Sequence, residues 1–273
     1  MGQDLGKEDL QVILIQAMCA AKSARTQLDR LLQLRRLLQL PRRLQRSPGA
    51  DDAGLVQEVA AGLFHVYFWG LEYASRYVAS CFMIAVEKGA CLHDLNPAFT
   101  VIPQEQLYDV LLAQRLPAPP TTQAQAFARL EAALHALKLA EEHHVPCCIE
   151  LLVGVRPPNV TGKPSPPFIG MAGYSDDPVV AALKHLAKNG LPNPDLLSTE
   201  ASADAAATDE PPQAACSVDL DQALSYLHRA CSLTSLALKH IDLSVAVFSS
   251  FFDPEELADT AETVDQFIFI PEE

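Results

Sequence analysis

The sequence lacks the cysteine pattern of a disulfide-stabilised or secreted protein. Its 273 residues include seven cysteines, an odd number, and no two of them are spaced as Cys-x-x-Cys. We also find no secretory signal. The thiols are therefore expected to be reduced, and the protein to be intracellular, in the cytoplasm or the nucleus.

The sequence also lacks an uncharged apolar run long enough to cross a membrane. Within its most apolar stretch, residues 55–86, the longest segment without an ionisable residue is Tyr77–Val86. A bilayer requires about 18–20 apolar residues. We therefore expect no membrane span, although the basic first helix could make peripheral contact with a membrane surface.

Positive charge is scarce, since 20 Lys and Arg stand against 34 Asp and Glu, for a net charge of −14. Nucleic acid is therefore not expected as a partner, because phosphate binding requires a basic surface. The charge is unevenly spread: residues 1–50 hold nine basic and four acidic residues, whereas residues 253–273 hold eight acidic residues and no basic one. This asymmetry predicts either docking of one end on the other or two different partners.

No motif in the chain indicates a cofactor. The segment Gly154–Pro164 contains Gly162-Lys163 after an apolar run, but seven residues separate its two glycines. Pro164 also stands where a phosphate-binding loop requires Ser or Thr. We therefore expect no cofactor, and the sequence favours a protein that is not an enzyme.

The strongest positive feature is the apolar stretch Leu55–Val86, whose ionisable residues fall on one side of a helical wheel. At about 100° per residue they lie, with Glu87, within a sector roughly 60° wide. A helix with so narrow a polar stripe is typical of the buried centre of a helical assembly. The stripe is interpreted as a polar seam facing water or another helix, and its members are Glu58, His65, Glu72 and Arg76.

These patterns predict a mainly α protein, a helical bundle around a central buried helix at about 55–88. Residues 1–190 are expected to form a helical core with a basic N-terminal helix, which should stop at Pro41. Residues 191–216, poor in bulky apolar side chains, are expected to form a disordered linker. Residues 217–273 are expected to return to the core and end in an acidic tail. A minor β element is predicted at about 147–155, with 266–270 as a second extended candidate.

The helix Ala124–His144, with Thr121 or Thr122 as its cap, runs into Val145-Pro146-Cys147-Cys148-Ile149-Glu150-Leu151-Leu152-Val153-Gly154. This segment of about 30 residues resembles the central helix and following strand of HORMA-like checkpoint proteins. The resemblance implies a mixed α/β core and a regulatory role exercised by binding another protein. It supplies an alternative to the mainly helical interpretation.

The densest group of potential metal ligands is His143, His144, Cys147 and Cys148. Each His precedes a Cys by four residues, which would suit one face of a helix. Pro146 is expected to break that helix, and adjacent cysteines on a strand point to opposite faces. We therefore predict no metal site, and a metal-binding protein or enzyme that uses these residues remains an alternative.

Two segments are candidates for partner binding. One is the basic part of the first helix, with Arg35, Arg36, Arg42 and Arg43. The other is the apolar run near the C-terminus, which could add to the edge of a sheet: Phe267, Ile268, Phe269 and Ile270. The function predicted from the sequence is that of a non-catalytic intracellular adaptor or complex subunit.

Overall fold

The computed structural model describes residues 5–43, 50–90, 104–113, 119–154, 156–157 and 219–267. Of these residues 90% are helical and none is in a strand, so the prediction of a mainly α protein is confirmed. The α-helices are α1 (Lys7–Arg43), α2 (Ala50–His65), α3 (Leu71–Glu87), α4 (Gln104–Ala113), α5 (Gln123–Leu139), α6 (Val145–Val153), α7 (Leu220–Ser249) and α8 (Pro254–Phe267). Two π-helical turns, Val66–Gly70 and Ala140–His144, join α2 to α3 and α5 to α6.

Side chains close to each helix end explain where several helices begin and stop. The hydroxyl of Thr122 accepts a hydrogen bond from the backbone N–H of Gln125, at 3.2 Å, and starts α5. Asp253 and Glu256 form a reciprocal capping box at the start of α8. Gly89, with φ of +77°, ends α3, as expected for a left-handed glycine after a helix.

The first helix does not stop at Pro41, because α1 continues to Arg43. A proline removes one backbone hydrogen bond and crowds the carbonyl four residues earlier. So close to the helix end, that loss affects only the final turn. The predicted boundary was therefore wrong by three residues.

Four long helical segments pack side by side with alternating direction. They are α1, α2–α3 with its π turn, α5–α6 with its π turn, and α7. Both α1 and α5 contact α3 and α7. The direction of each neighbour follows from individual contacts. Arg30 of α1 bonds to His65, while Ile13, earlier in α1, accepts from Cys81, later in the second segment. The first two segments are therefore antiparallel.

The other neighbours alternate in the same way. Ser244 of α7 donates to the carbonyl of Ala126 near the start of α5, and Cys148 of α6 donates to Ala223 near the start of α7. The short helix α4 packs against α5 and α7, and α8 packs against α1. Within the described residues, the 55–88 segment, predicted as the centre of a bundle, packs against α1, α5 and α6.

The predicted helix 55–88 is interrupted by the π turn Val66–Gly70. Such a turn contains an extra residue and shifts everything after it by about 100° around the helix axis. The turn contacts α1 directly: Ser23 donates to the carbonyl of Gly70 at 3.3 Å, and the buried side chain of Gln27 lies against Gly70. The regular wheel drawn from the sequence therefore does not describe both halves of this segment.

Substitution of Gly70 by alanine tests this close approach. The added Cβ would lie 2.1 Å from both Cδ and Oε1 of Gln27, whose side chain is buried. We expect the free energy of unfolding to fall by about 1–3 kcal/mol in Gly70→Ala, measured by urea denaturation, because the site becomes overpacked. Adding Gln27→Ala should recover part of that loss. In Gly54→Ala the new Cβ meets nothing within 4 Å, and stability should be unchanged or rise. A Gly70→Ala protein as stable as that control would contradict the packing described.

The predicted strand at 147–155 was wrong, since residues 145–153 form α6. Besides Pro146, its buried side chains are Val145, Cys148, Ile149 and Leu152, whose spacing of three, four and seven residues is helical. Pro146 is tolerated because it occupies the first turn of α6, directly after a π turn. The strand that the HORMA-like resemblance requires is thus a helix.

Two further predictions, the extended segment at 266–270 and the linker at 191–216, fall partly or wholly outside the described residues. Gln266 and Phe267 end α8, so the second extended candidate is helical at its start. Residues 268–270 and the linker predicted at 191–216 lie outside the described residues.

Candidate partner-binding groove

A groove of about 530 Å³ lies between α1 and α7, bordered by α4. We call it the α1–α7 groove; six of the side chains that line it are Leu28, Leu32, Arg35, Leu112, Leu236 and Lys239. Its leucines come from all three helices, and Leu112 of α4 is 43% exposed.

The two basic side chains stand at different ends of this groove. Arg35 bonds through Nη1 to Nδ1 of His228, at 3.2 Å. Lys239 follows His228 by eleven residues of the same helix, which is roughly 16 Å of helical rise. The groove therefore presents an apolar centre with a positive charge towards each end.

Arg35 carries hydrogen-bonding capacity that the described residues do not use. Its side chain is half-buried, its Nε is buried, and that atom donates to no described residue. Neither Arg35 nor Lys239 forms an ion pair with any carboxylate in the described part of the chain. A buried donor that lacks an acceptor costs free energy. A ligand that brings a carboxylate into the groove would supply the ion-pair partner that Arg35 lacks among the described residues.

The basic residues predicted to bind a partner have different environments along α1. Arg35 lines the groove and Arg36 is exposed to solvent. Arg42 and Arg43 belong to the last turn of α1, but their side chains lie outside the described residues. The side chain of Phe267 and all of Ile268–Ile270 also lie outside them.

The predicted polar seam is not a continuous stripe. Glu58 is exposed, His65 contacts Nη1 of Arg30 through Nδ1 at 2.8 Å, and Glu72 is buried. Glu72 forms the expected ion pair with Arg76, one turn later. The π turn between His65 and Glu72 separates the stripe into two parts, each of which contacts a different neighbour.

Beyond the π turn, the polar side chains face α5–α6. The hydroxyl of Ser75, next to Glu72 and Arg76 on α3, donates to Oε2 of the buried Glu141 at 3.2 Å. The second part of the stripe thus borders a polar contact inside the core, while the side chain of Arg76 remains 30% exposed.

The four potential metal ligands do not converge. Sγ of Cys147 lies 3.9 Å from Nδ1 of His143, whereas Cys148 points into the core and donates to the carbonyl of Ala223 at 3.3 Å. His144 is buried among aromatic rings. In the described part of the chain, no group of three or more His, Cys, Asp or Glu residues could hold a metal ion.

The same cysteines are not arranged as nucleophiles. Burial raises the pKa of Cys147, and it raises the pKa of Cys148 to about 12. A catalytic cysteine requires the opposite shift, because the thiolate is the reactive form. This counts against a role for these two thiols in nucleophilic catalysis.

The two most deeply buried histidines of the described residues are His144, which the sequence offered as a metal ligand, and His240, which sequence reasoning missed. His144 and His240 are each 1% exposed, and none of their ring nitrogens hydrogen-bonds to a described residue. Burial, with smaller contributions from His143 and Arg229, lowers the pKa of His144 to about 3. Burial, helped by Arg129, lowers the pKa of His240 to about 4. Both side chains are therefore neutral members of the core.

The leucines and Lys239 of the groove were also missed. They come from segments about 200 residues apart in the sequence, and the spacing within each segment is that of an ordinary amphipathic helix. The only signal available in the sequence was the basic part of α1, which includes Arg35.

No protein family, no curated protein and no solved structure matches this chain. One described helix, Leu220–Ser249, is long and apolar enough to cross a membrane, with a mean hydropathy of 1.3 over 18 residues. This helix is α7, which packs against α1 and α5 and buries 56% of that window. A core helix of this kind meets the same criterion, so the finding is weak support for a membrane span.

Proposed function

We propose that this chain is a non-catalytic adaptor or complex subunit that binds a partner protein in the α1–α7 groove. The partner segment would be apolar, with acidic residues at its ends. The four antiparallel segments would act as a helical bundle that holds the groove open. The observation that carries the proposal is that the half-buried Arg35, which pairs with no carboxylate in the described part of the chain, lies beside the exposed Leu112 and three half-buried leucines.

Both the apolar centre and the charged ends of the groove would contribute to the binding free energy. Removing apolar surface from water supplies about 25 cal/mol per Å², and the exposed Leu112 with the half-buried Leu28, Leu32 and Leu236 offers that surface. A carboxylate at Arg35 would form a charge-assisted hydrogen bond with the guanidinium. A second carboxylate near Lys239 would fix the direction in which the segment lies.

Selection from a displayed library of random peptides on the full chain tests this proposal. We expect the selected peptides to contain a short apolar run flanked by Asp or Glu. Binding of a selected peptide should weaken at least about 10-fold in Arg35→Glu/Lys239→Glu, because both charge contacts become repulsive. Dissociation constants would be measured by fluorescence anisotropy, with circular dichroism to check folding.

The matched control is Lys138→Glu/Arg156→Glu, which changes the net charge by the same amount. Both side chains are exposed and lie outside the groove, where they pair with Glu142 and Glu150. This variant should bind the peptides as the native chain does. Equal weakening in both variants would mean that general charge attraction, and not the groove, governs binding.

A further inference from the structure

The α1–α7 groove begins close to the place where α8 ends. Near its start, α8 is joined to α1 by Glu256 and Lys7, with Oε1 and Nζ 2.6 Å apart. Near its end it is joined by Asp265 and Lys22, with Oδ1 and Nζ 2.9 Å apart. The helix α8 therefore runs along α1 in the same direction and ends two residues after Asp265, whose partner Lys22 precedes Leu28 by six residues.

The end of α8 also lies on the correct side of α1. At about 100° per residue, five residues follow one another around α1 within an arc of about 140°, in the order Lys22, Arg25, Leu32, Leu28 and Arg35. Arg25 marks the side of α1 that faces α7, because its Nη2 pairs with Asp242 at 3.3 Å. If residues 268–273 continue in the direction of α8, they extend towards the groove.

Six residues, 268–273, follow Phe267. In extended conformation they reach about 20 Å, at about 3.3 Å per residue. Along α1, Leu32 is roughly 15 Å beyond Lys22, and Arg35 is roughly 20 Å beyond it, at 1.5 Å of rise per residue. The segment is thus long enough to cover the leucines and to bring its last residues to Arg35.

The chemistry of the segment matches that of the groove. Ile268, Phe269 and Ile270 are apolar, and Glu272 and Glu273 supply the carboxylates that Arg35 lacks. We propose that residues 268–273 of the same chain bind in the α1–α7 groove and compete with the partner for it. This inference rests on the proposed function of the groove. A short connection favours the chain's own tail over a second copy, because the effective concentration of a tethered segment is millimolar.

A labelled peptide with the sequence of residues 266–273 is the probe, and its binding to the full chain is measured by fluorescence anisotropy. The native chain should bind it weakly, because the groove is already occupied. The full chain with Ile268→Asp/Ile270→Asp should bind it roughly 10-fold more tightly or better, since the competing tail is lost. Adding Arg35→Glu/Lys239→Glu to this tail variant should abolish binding.

The control variant is Ala258→Asp/Gln266→Asp, which adds two carboxylates at exposed positions of α8 and leaves residues 268–273 intact. It should behave as the native chain. Equally tight binding by native and tail-variant chains, lost on groove reversal, would overturn the inference and leave the proposed function standing.

Two other outcomes also overturn it. If neither chain binds the tail peptide, the tail is not a ligand, and the function of the groove is judged by the selected peptides alone. If the difference between the native and tail-variant chains disappears on dilution, the tail occupies the groove of a second copy.

Discussion

Replacement of Phe127 by alanine is expected to lower the free energy of unfolding by about 3–5 kcal/mol. Phe127 is 2% exposed, and its ring centroid lies 5.8 Å from that of Phe82 and 5.4 Å from that of Phe248. One side chain of α5 thus joins α3 and α7, so its removal leaves a cavity where three of the four long segments meet. Urea denaturation followed by circular dichroism measures the loss.

The control for this prediction is Phe251→Ala. The side chain of Phe251 is 43% exposed, beyond the end of α7, and its removal should change stability by no more than about 0.5 kcal/mol. If Phe127→Ala does not fold, Phe127→Leu still tests the packing, since it should cost less than alanine and more than the control. Equal effects of the Phe127 and Phe251 substitutions would contradict the observed core.

The helices were predictable where their signals are local. Thr122 and Gly89 act at helix ends through neighbours only a few residues away, so the sequence contains the whole interaction. The π turn at Val66–Gly70 depends instead on Ser23 and Gln27, which are more than 40 residues distant. A contact of that kind leaves no periodic pattern, and for that reason the wheel of polar residues failed across the turn.

The error at 145–153 has a different origin. The spacing of the buried residues there is helical. The apolar, β-branched composition and Pro146 instead favour a strand after a helix end, and the strand prediction follows from them. The preceding π turn makes room for the proline, and a feature of that type cannot be recognised from composition. The groove was beyond sequence reasoning for a third reason, since Leu32 and Leu236 meet only through the packing of α1 on α7.

The opposite charges of the two chain ends meet within the fold. Lys7, Lys22 and Arg25 pair with acidic residues of α7 and α8. Exposed pairs of this kind contribute at most about 1 kcal/mol each. Their main consequence is to fix the direction of α8 along α1.

Stability is expected to fall as the pH drops below 6.5, because of His144 and His240. Above that pH both histidines are neutral in the folded and the unfolded chain, so stability is complete. Below it both histidines are protonated in the unfolded chain but remain neutral in the folded chain, because burial lowers the pKa of His144 to about 3 and that of His240 to about 4. Each histidine should then remove about 1.4 kcal/mol per pH unit until its folded pKa is reached.

The variant His144→Phe separates this contribution from that of the carboxylates. The ring of His144 lies 5.6 Å from Tyr108 and 5.8 Å from Tyr226, so a phenyl ring meets an aromatic environment. Between pH 6.5 and 4, the slope of unfolding free energy against pH should decrease by about 1.4 kcal/mol per unit relative to the native chain. Tyr226→Phe changes the same cluster without removing a histidine and should keep the native slope. An unchanged slope in His144→Phe would mean that this histidine accepts a proton in the folded protein, in conflict with its burial.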